Sequence, residues 1–339
     1  MPACRSLESA VNELRWIREH VESTARDEQQ AASKTARLCR RRGRGVPLQY
    51  ILGSQPFGPL DIRCKPGVLI PRPETEAYTH HLAHLIRGGK LTNPMAAKNR
   101  KGGLNIVDFC TGTGCIPLLL FSVLQGRMQD LHVLGVDISP AAVELARENI
   151  ARNVQSGNIS PLLPGQSMEV QTGDVFHDHD IEKLAERQWD VMVSNPPYVS
   201  SRVWKYGLGN LGYSVRKYEP SLALVPSHDL PIPPGWNHED VFYSRLLDVA
   251  GRLGPRVILL EIGDEAQARR VLEGIGRHAL SATLRVEVWR DWPDLTPGNE
   301  EAGLMEILRR DGEIWRVPVK GGGHIRSIFM TRDLAETDP

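Results

Sequence analysis

The tetrapeptide Asn195-Pro196-Pro197-Tyr198 follows directly on the apolar run 190–194. Two prolines fix backbone dihedrals and remove two N–H donors, so the Asn195 side chain and the Pro196 carbonyl can be held as rigid acceptors. Paired acceptors suit an NH2 group. An amide nitrogen is a poor nucleophile because its lone pair is delocalised into the carbonyl. Acceptors on both its hydrogens orient it and stabilise the positive charge that grows as it attacks an electrophile in line. Asn195, Pro196, Pro197 and Tyr198 are the expected catalytic residues, with Tyr198 packed against the amide plane. The plainer reading is a Pro-Pro turn that closes a strand.

A second constellation lies upstream. Residues 105–109 form an apolar strand carrying Asp108, followed by Cys110-Thr111-Gly112-Thr113-Gly114 and a helix over 116–124. A Gly-x-Gly turn brings backbone close to a ligand, and the helix start favours polar or carboxylate groups. By itself this is a weak signal. The spacing strengthens it: Asp137 ends the next strand, where it can accept both hydroxyls of a ribose, and Asp174-Val175 follows the third, offering an acceptor to an adenine amino group and an apolar wall to its ring. One such aspartate is often a helix cap; three strand ends in succession call for a ligand.

These loops need a scaffold. Strands over 105–109, 132–137, 168–172, 190–194, 256–261, 284–289 and 325–331 alternate with helical segments, the pattern of a doubly wound parallel α/β sheet of seven strands beginning at residue 68. Before it, Leu7, Ala10, Val11, Leu14, Ile17 and Val21 recur at helical spacing, predicting a small helical domain over 1–45. A β-hairpin linker over 46–67 is expected, with strand-like pieces at 49–52 and 60–63. Stretches 90–103, 226–237 and 297–323 read as surface insertions. His177-Asp178-His179-Asp180 reads as a solvated loop.

Composition bounds the function. Lys+Arg and Asp+Glu balance at 41 each, so any contact with a polyanion must be local. The arginines between Arg37 and Arg44 could steer the protein to the ribosome or to an acidic partner; a solvated linker explains them equally well. The five cysteines contain no C-x-x-C pair, against a disulfide framework or a zinc site, and point to a reducing compartment. His80 and His84 lie four apart after Glu76, with no further ligand evident, so no metal is expected. No run approaches the roughly 20 apolar residues of a membrane helix. Arg5, Arg15 and Arg18 are interrupted by Glu8, Glu13 and Glu19, unlike an acid-poor transit peptide.

The order and wording of these motifs resemble the HemK/PrmC family of release-factor glutamine N5-methyltransferases, in its eukaryotic organellar branch. The resemblance runs from Gly45 through Val46-Pro47-Leu48-Gln49-Tyr50-Ile51-Leu52-Gly53, Phe57, Val68-Leu69-Ile70-Pro71-Arg72-Pro73-Glu74-Thr75-Glu76, the Gly-x-Gly turn, Asn195 to Tyr198, Tyr218-Glu219-Pro220 and Leu260-Glu261-Ile262-Gly263. It implies a class I methyltransferase (Rossmann-like) fold and S-adenosylmethionine as cofactor. Gly112, Thr113, Gly114, Cys115, Ile116, Asp137, Val175 and Asn195 would contact it, beside Asp108 and Asp174 from the strand ends. The implied substrate is the glutamine of the Gly-Gly-Gln loop of a class 1 peptide-chain release factor, docked with help from the helical domain. Two departures stand out: Cys110 where the family usually has a glycine, and the insertion before Gly323.

Two rivals remain open on sequence. Asn-Pro-Pro-Tyr also suits the exocyclic amine of a base in DNA or RNA, although zero net charge weakens that reading. A non-catalytic protein that binds a release factor or the ribosome is opposed by the intact Asn195 and Asp137. A mitochondrial location is expected from the branch, with the cytoplasm as alternative, and a monomer with no membrane contact.

Overall fold

The computed structural model describes residues 4, 6–89, 91, 103–207, 211–309 and 312–332. Helices Leu7–Glu22 and Glu28–Gly43 start on side-chain caps, Ser6 on Ser9 N and Asp27 on Gln30 N. They bury Ile17, Val21 and Leu38 together with Leu48 and Ile51. These last two lie on a short helix, Leu48–Leu52, where a strand is expected; Pro47 opens it and Gly53, at φ 86°, closes it. The helical unit thus runs past residue 45. The hairpin is displaced to β1 (Ser54–Phe57) and β2 (Leu60–Arg63), paired antiparallel, and its Phe57, Leu60 and Ile62 belong to the core of the main sheet.

Helix Pro73–Arg87, with proline in its first turn, leads to that sheet. The strands are β3 (Leu104–Phe109), β4 (Leu131–Asp137), β5 (Gln166–Thr172), β6 (Val191–Ser194), β7 (Val257–Glu261), β8 (Leu284–Trp292), β9 (Leu304–Leu308), β10 (Ile314–Lys320) and β11 (Gly322–Arg332). Their order is β5-β4-β3-β6-β7-β11-β8-β10-β9. Strands β5 to β7 are parallel, and β11 runs antiparallel between β7 and β8. Side chains alternate between two buried faces: Val107, Met192, Ile258 and Leu260 enter one core, Ile106, Val191, Val193, Val257 and Leu259 the other. Covering both faces is why these strands read as continuous apolar runs. Each fully buried aliphatic side chain contributes about 1.5–3 kcal/mol, which fixes the strand ends that carry the polar loops.

The sheet has nine strands where seven are expected. The stretch 297–323 is no surface loop: β9 and β10 pair antiparallel, and β10 meets β8 at Val319 opposite Val288. Met305, Ile307, Val317 and Val319 are buried while the residues between them face water. Stretch 226–237 is likewise engaged; its Trp236 packs where a Cβ on Gly274 would sit. Of 90–103, all but Leu91 and Gly103 lies outside the described residues. The His177–Asp180 stretch begins a helix, Asp178–Ala185, because Ile181 and Leu184 give it a buried face and Asp178 pairs with Arg245 and Arg252.

Candidate active site

Four neighbouring parallel strands deliver their C-terminal ends to one edge, in the order Asp174 (β5), Asp137 (β4), residues 110–114 (β3) and Asn195 (β6). A cleft runs along this edge. The C-terminal edge of an open parallel sheet is the general ligand site of such folds. Its walls include Cys110, Gly112, Thr113, Cys115, Ile116, Asp137, Asp174, Val175, Asn195 and Pro197.

The turn after β3 is built around glycines. Gly112 at φ 56° and Gly114 at φ 77° lie in the left-handed region, where a Cβ is costly. Gly114 does not line the cleft; a Cβ there would stand 3.0 Å from Ala146 and Leu118, so it serves close helix packing. A Cβ on Gly112 would meet only Val68, at 4.0 Å, which leaves open space on the cleft side. Its N–H donates to Asp137 Oδ2 at 2.8 Å, and Ser139 N donates to Oδ1 at 2.9 Å. Burial raises the Asp137 carboxyl while these two backbone donors oppose the rise. Each oxygen keeps a lone pair for a hydroxyl donor. Asp174 is similar: its Oδ1 takes Phe176 N at 2.9 Å. Both aspartates therefore hold their own loops and face the cleft, so the capping and ligand readings coexist.

Cys110 is the only non-glycine residue with positive φ among the described residues, at 59°. Its side chain packs on the core, which compensates a strain of about 1–2 kcal/mol. Cys110→Gly is therefore expected to be more stable than Cys110→Ala by about 1 kcal/mol, since both lose the thiol and only glycine relieves the dihedral. Urea midpoints of the two variants decide this; an alanine variant at least as stable would show that the turn is unstrained.

Asp108 is fully buried beneath the turn and does not line the cleft. Its Oδ2 accepts from Thr111 Oγ1 at 2.6 Å, while Oδ1 has no hydrogen-bond partner among the described residues. Burial pushes its carboxyl up to about 8. The unfolded chain releases this proton near pH ~3.9, but the folded chain holds it, so stability falls as pH rises from ~4 and levels off above about 8. Asp108→Asn keeps an acceptor for Thr111 and cannot ionise. It is expected to gain roughly 1–3 kcal/mol over the wild type at about pH 9 and little at about pH 4. Parallel stability–pH curves for the two proteins would contradict this.

At the β6 end, the Ser194 hydroxyl donates to Phe109 O at 2.9 Å, locking β6 to β3 just before Asn195. The Asn195 side chain makes no hydrogen bond to another described residue and borders the cleft, while Pro196 is buried. Tyr198 turns away from the cleft. Its hydroxyl donates to Glu261 Oε1 at 3.0 Å, which ties down the loop that follows Asn195. Glu261 Oε2 accepts from Thr75 at 2.6 Å and from Tyr78 at 2.8 Å. Burial raises the Glu261 carboxyl, against the pull of these hydroxyls. Gln267 adds a bond to Tyr198 O, and Val199 N donates to Leu224 O.

Several cleft residues had no role assigned from sequence, although Arg72, Thr75 and Glu219 lie in the motifs quoted above. Arg72 and Thr75 come from the start of helix Pro73–Arg87, and Glu219 clamps this corner: Oε1 takes Arg72 Nη2 at 2.8 Å and Oε2 takes Ile70 N at 3.0 Å. Phe176, Leu230 and Phe242 supply apolar wall near Val175. Glu261 had a legible signal, an acid ending an otherwise apolar strand. Leu230 and Phe242 had none, since only the folded chain brings them to the edge.

Comparison with known proteins fits this geometry. Residues 91–211 match the family described as Methyltransferase small domain. A probable MRF1 mitochondrial N(5)-glutamine methyltransferase of Schizosaccharomyces pombe is 32% identical over 249 residues, 70% of this chain and 70% of that one. The release factor glutamine methyltransferase of Thermodesulfovibrio yellowstonii is 32% identical over 236 residues, 69% of each chain. This chain belongs to the release factor glutamine methyltransferase family. The mitochondrial MRF1 N(5)-glutamine methyltransferase MTQ1 of Saccharomyces cerevisiae is 36% identical over 226 residues, which span 66% of this chain and 62% of that one, a little under two thirds.

S-adenosylmethionine is the cofactor of this class of enzyme, and the cleft fits it. Open space at Gly112, spare acceptor capacity on Asp137 and Asp174, and the apolar wall of Val175, Phe176 and Phe242 match a ligand with hydroxyls, an amino group and a flat ring. Among the described residues no helix is long and apolar enough to cross a membrane.

Proposed function

We propose that this protein methylates the side-chain amide nitrogen of the glutamine in the Gly-Gly-Gln loop of a class 1 peptide-chain release factor. The observation that carries the reading is Asn195: a side-chain amide with no partner among the described residues, at the cleft edge, on a loop tied down at Ser194, Tyr198 and Val199. When bound, the cofactor supplies an electrophilic methyl group on a sulfonium. Asp137 would hold its ribose hydroxyls, Asp174 and Val175 its adenine, and residues 112–116 would approach it along the turn.

Asn195 and the Pro196 carbonyl would accept from the two hydrogens of the glutamine NH2. Held so, the nitrogen keeps its lone pair directed at the methyl group, and the growing positive charge falls between two acceptors that need no reorganisation. After transfer, one N–H proton leaves to solvent and the amide is neutral again. Pro196 and Pro197 supply rigidity, and Tyr198 holds the loop through Glu261. A mitochondrial location is supported by the two fungal relatives, both named as mitochondrial enzymes.

The test supplies methyl-labelled S-adenosylmethionine to the full-length protein with a release factor, DNA or ribosomal RNA in separate reactions. Label in the release factor supports the proposal. Label in nucleic acid alone overturns it, and so does label in none of the three.

A further inference from the structure

The zero net charge conceals two acid-free tracts. Between Glu28 and Asp61 the chain has six basic residues and no acidic one; between Asp190 and Glu219 it has four and none. Folding joins them. The Ser214 hydroxyl donates to Gly45 O at 2.7 Å, the Tyr218 hydroxyl to Arg44 O at 3.3 Å, and the Tyr213 ring lies against Gly45.

On helix Glu28–Gly43, Arg37, Arg40 and Arg41 fall at three- and four-residue steps, and Arg44 continues the stripe one turn on. All four are exposed, and none pairs with an acid among the described residues. Arg42, one position off the stripe, turns inward to Glu13 instead. Across the junction, Lys217 is exposed, its ammonium 5.2 Å from the Tyr213 ring centre and 5.5 Å from that of Tyr218. Basic residues in a last helical turn complement the helix dipole, as Arg40 and Arg41 do on the first helix and Lys217 on the second, but that does not account for Arg37. Like charges gathered without counter-charges repel, and a partner of opposite sign removes the cost.

The second tract also says where such a partner would lie. It starts on β6, passes through Asn195 and Pro197, and ends at Glu219, which clamps Arg72 on the facing wall. Whatever rests on helix Tyr213–Tyr218 and the arginine stripe therefore has the cleft beside it. We propose that Arg37, Arg40, Arg41, Arg44 and Lys217 form a docking face for an acidic surface of the protein substrate. This rests on the reading above that the acceptor is a protein side chain. The same reading makes the occupant a protein and not a nucleic acid, since the molecule on this face would be the one whose glutamine enters the cleft.

The experiment compares the wild type with a variant carrying Arg37→Gln, Arg40→Gln, Arg41→Gln and Arg44→Gln, and with the matching all-Lys variant. Initial rates of methylation of an intact release factor are read at low and high salt, with cofactor affinity as the control on folding. The Gln variant is expected to raise KM about tenfold at low salt, with kcat and cofactor affinity within about twofold. The Lys variant should stay near wild type, and high salt should close the gap. Equal KM values with an active wild type overturn the docking face alone; so does a Lys variant as impaired as the Gln variant. A wild type that methylates no release factor overturns the functional reading, and this face with it.

Discussion

Asn195→Ala is expected to lower kcat by about a hundredfold or more while leaving the fold intact. The side chain has no partner among the described residues, so its removal strands nothing in the protein, and the thermal midpoint should move by no more than a degree or so. On the proposed mechanism, what disappears is an acceptor aimed at charge that develops only during attack. Preorganised polar groups of this kind are worth roughly 3 kcal/mol, which is about two decades in rate. Because the interaction strengthens toward the transition state, the loss should fall on kcat, and KM for the release factor should change little. Steady-state rates with the cofactor saturating separate these. A large rise in KM at constant kcat would mean that Asn195 only binds the acceptor.

The second large effect is on stability. Glu261→Ala removes the acceptor of three hydroxyls at once, those of Thr75, Tyr78 and Tyr198. Thr75 and Tyr78 are buried, and Tyr198 is largely so. Stranded polar groups cost about 1–3 kcal/mol each, partly offset because the buried carboxylate, whose own burial is unfavourable, goes too. A loss of roughly 3–5 kcal/mol is expected from urea denaturation. Thr75 borders the cleft and Tyr198 follows Asn195, so kcat should fall as well, by about tenfold in the milder Glu261→Gln variant. A Glu261→Ala protein as stable as the wild type would show that the three hydroxyls find other partners and that the carboxylate is no anchor.

What the sequence could and could not announce follows from the range of the forces involved. The parallel core was legible because strands covered on both faces carry apolar runs such as 257–260, a signal local to each strand. Strands β9 and β10 were missed because Glu306 and Arg316 interleave with buried Met305, Ile307 and Val317, so an edge pair with one wet face reads as a polar loop. The 49–52 segment misled in the other direction: its apolar character suits a strand, but the bounding Pro47 and Gly53 and the core at Ile17 and Val21 make a helix of it.

In the cleft, aspartates at strand ends were readable from spacing alone. The fate of Asp108 was not, since only burial shows that it sits under the turn without a partner for Oδ1. Chemistry alone suggested a place for the Tyr198 ring, but not that its hydroxyl bonds to Glu261, 63 positions away in sequence. Non-local hydrogen bonds of this kind leave no periodic trace.

The most direct measurement is site-resolved mass spectrometry of a release factor after incubation with S-adenosylmethionine and either wild type or Asn195→Ala. One added methyl group confined to the Gly-Gly-Gln glutamine, on its side-chain nitrogen, and lost with the variant, is the predicted result. A methyl group on any other residue, or one that forms equally fast with the variant, would contradict it.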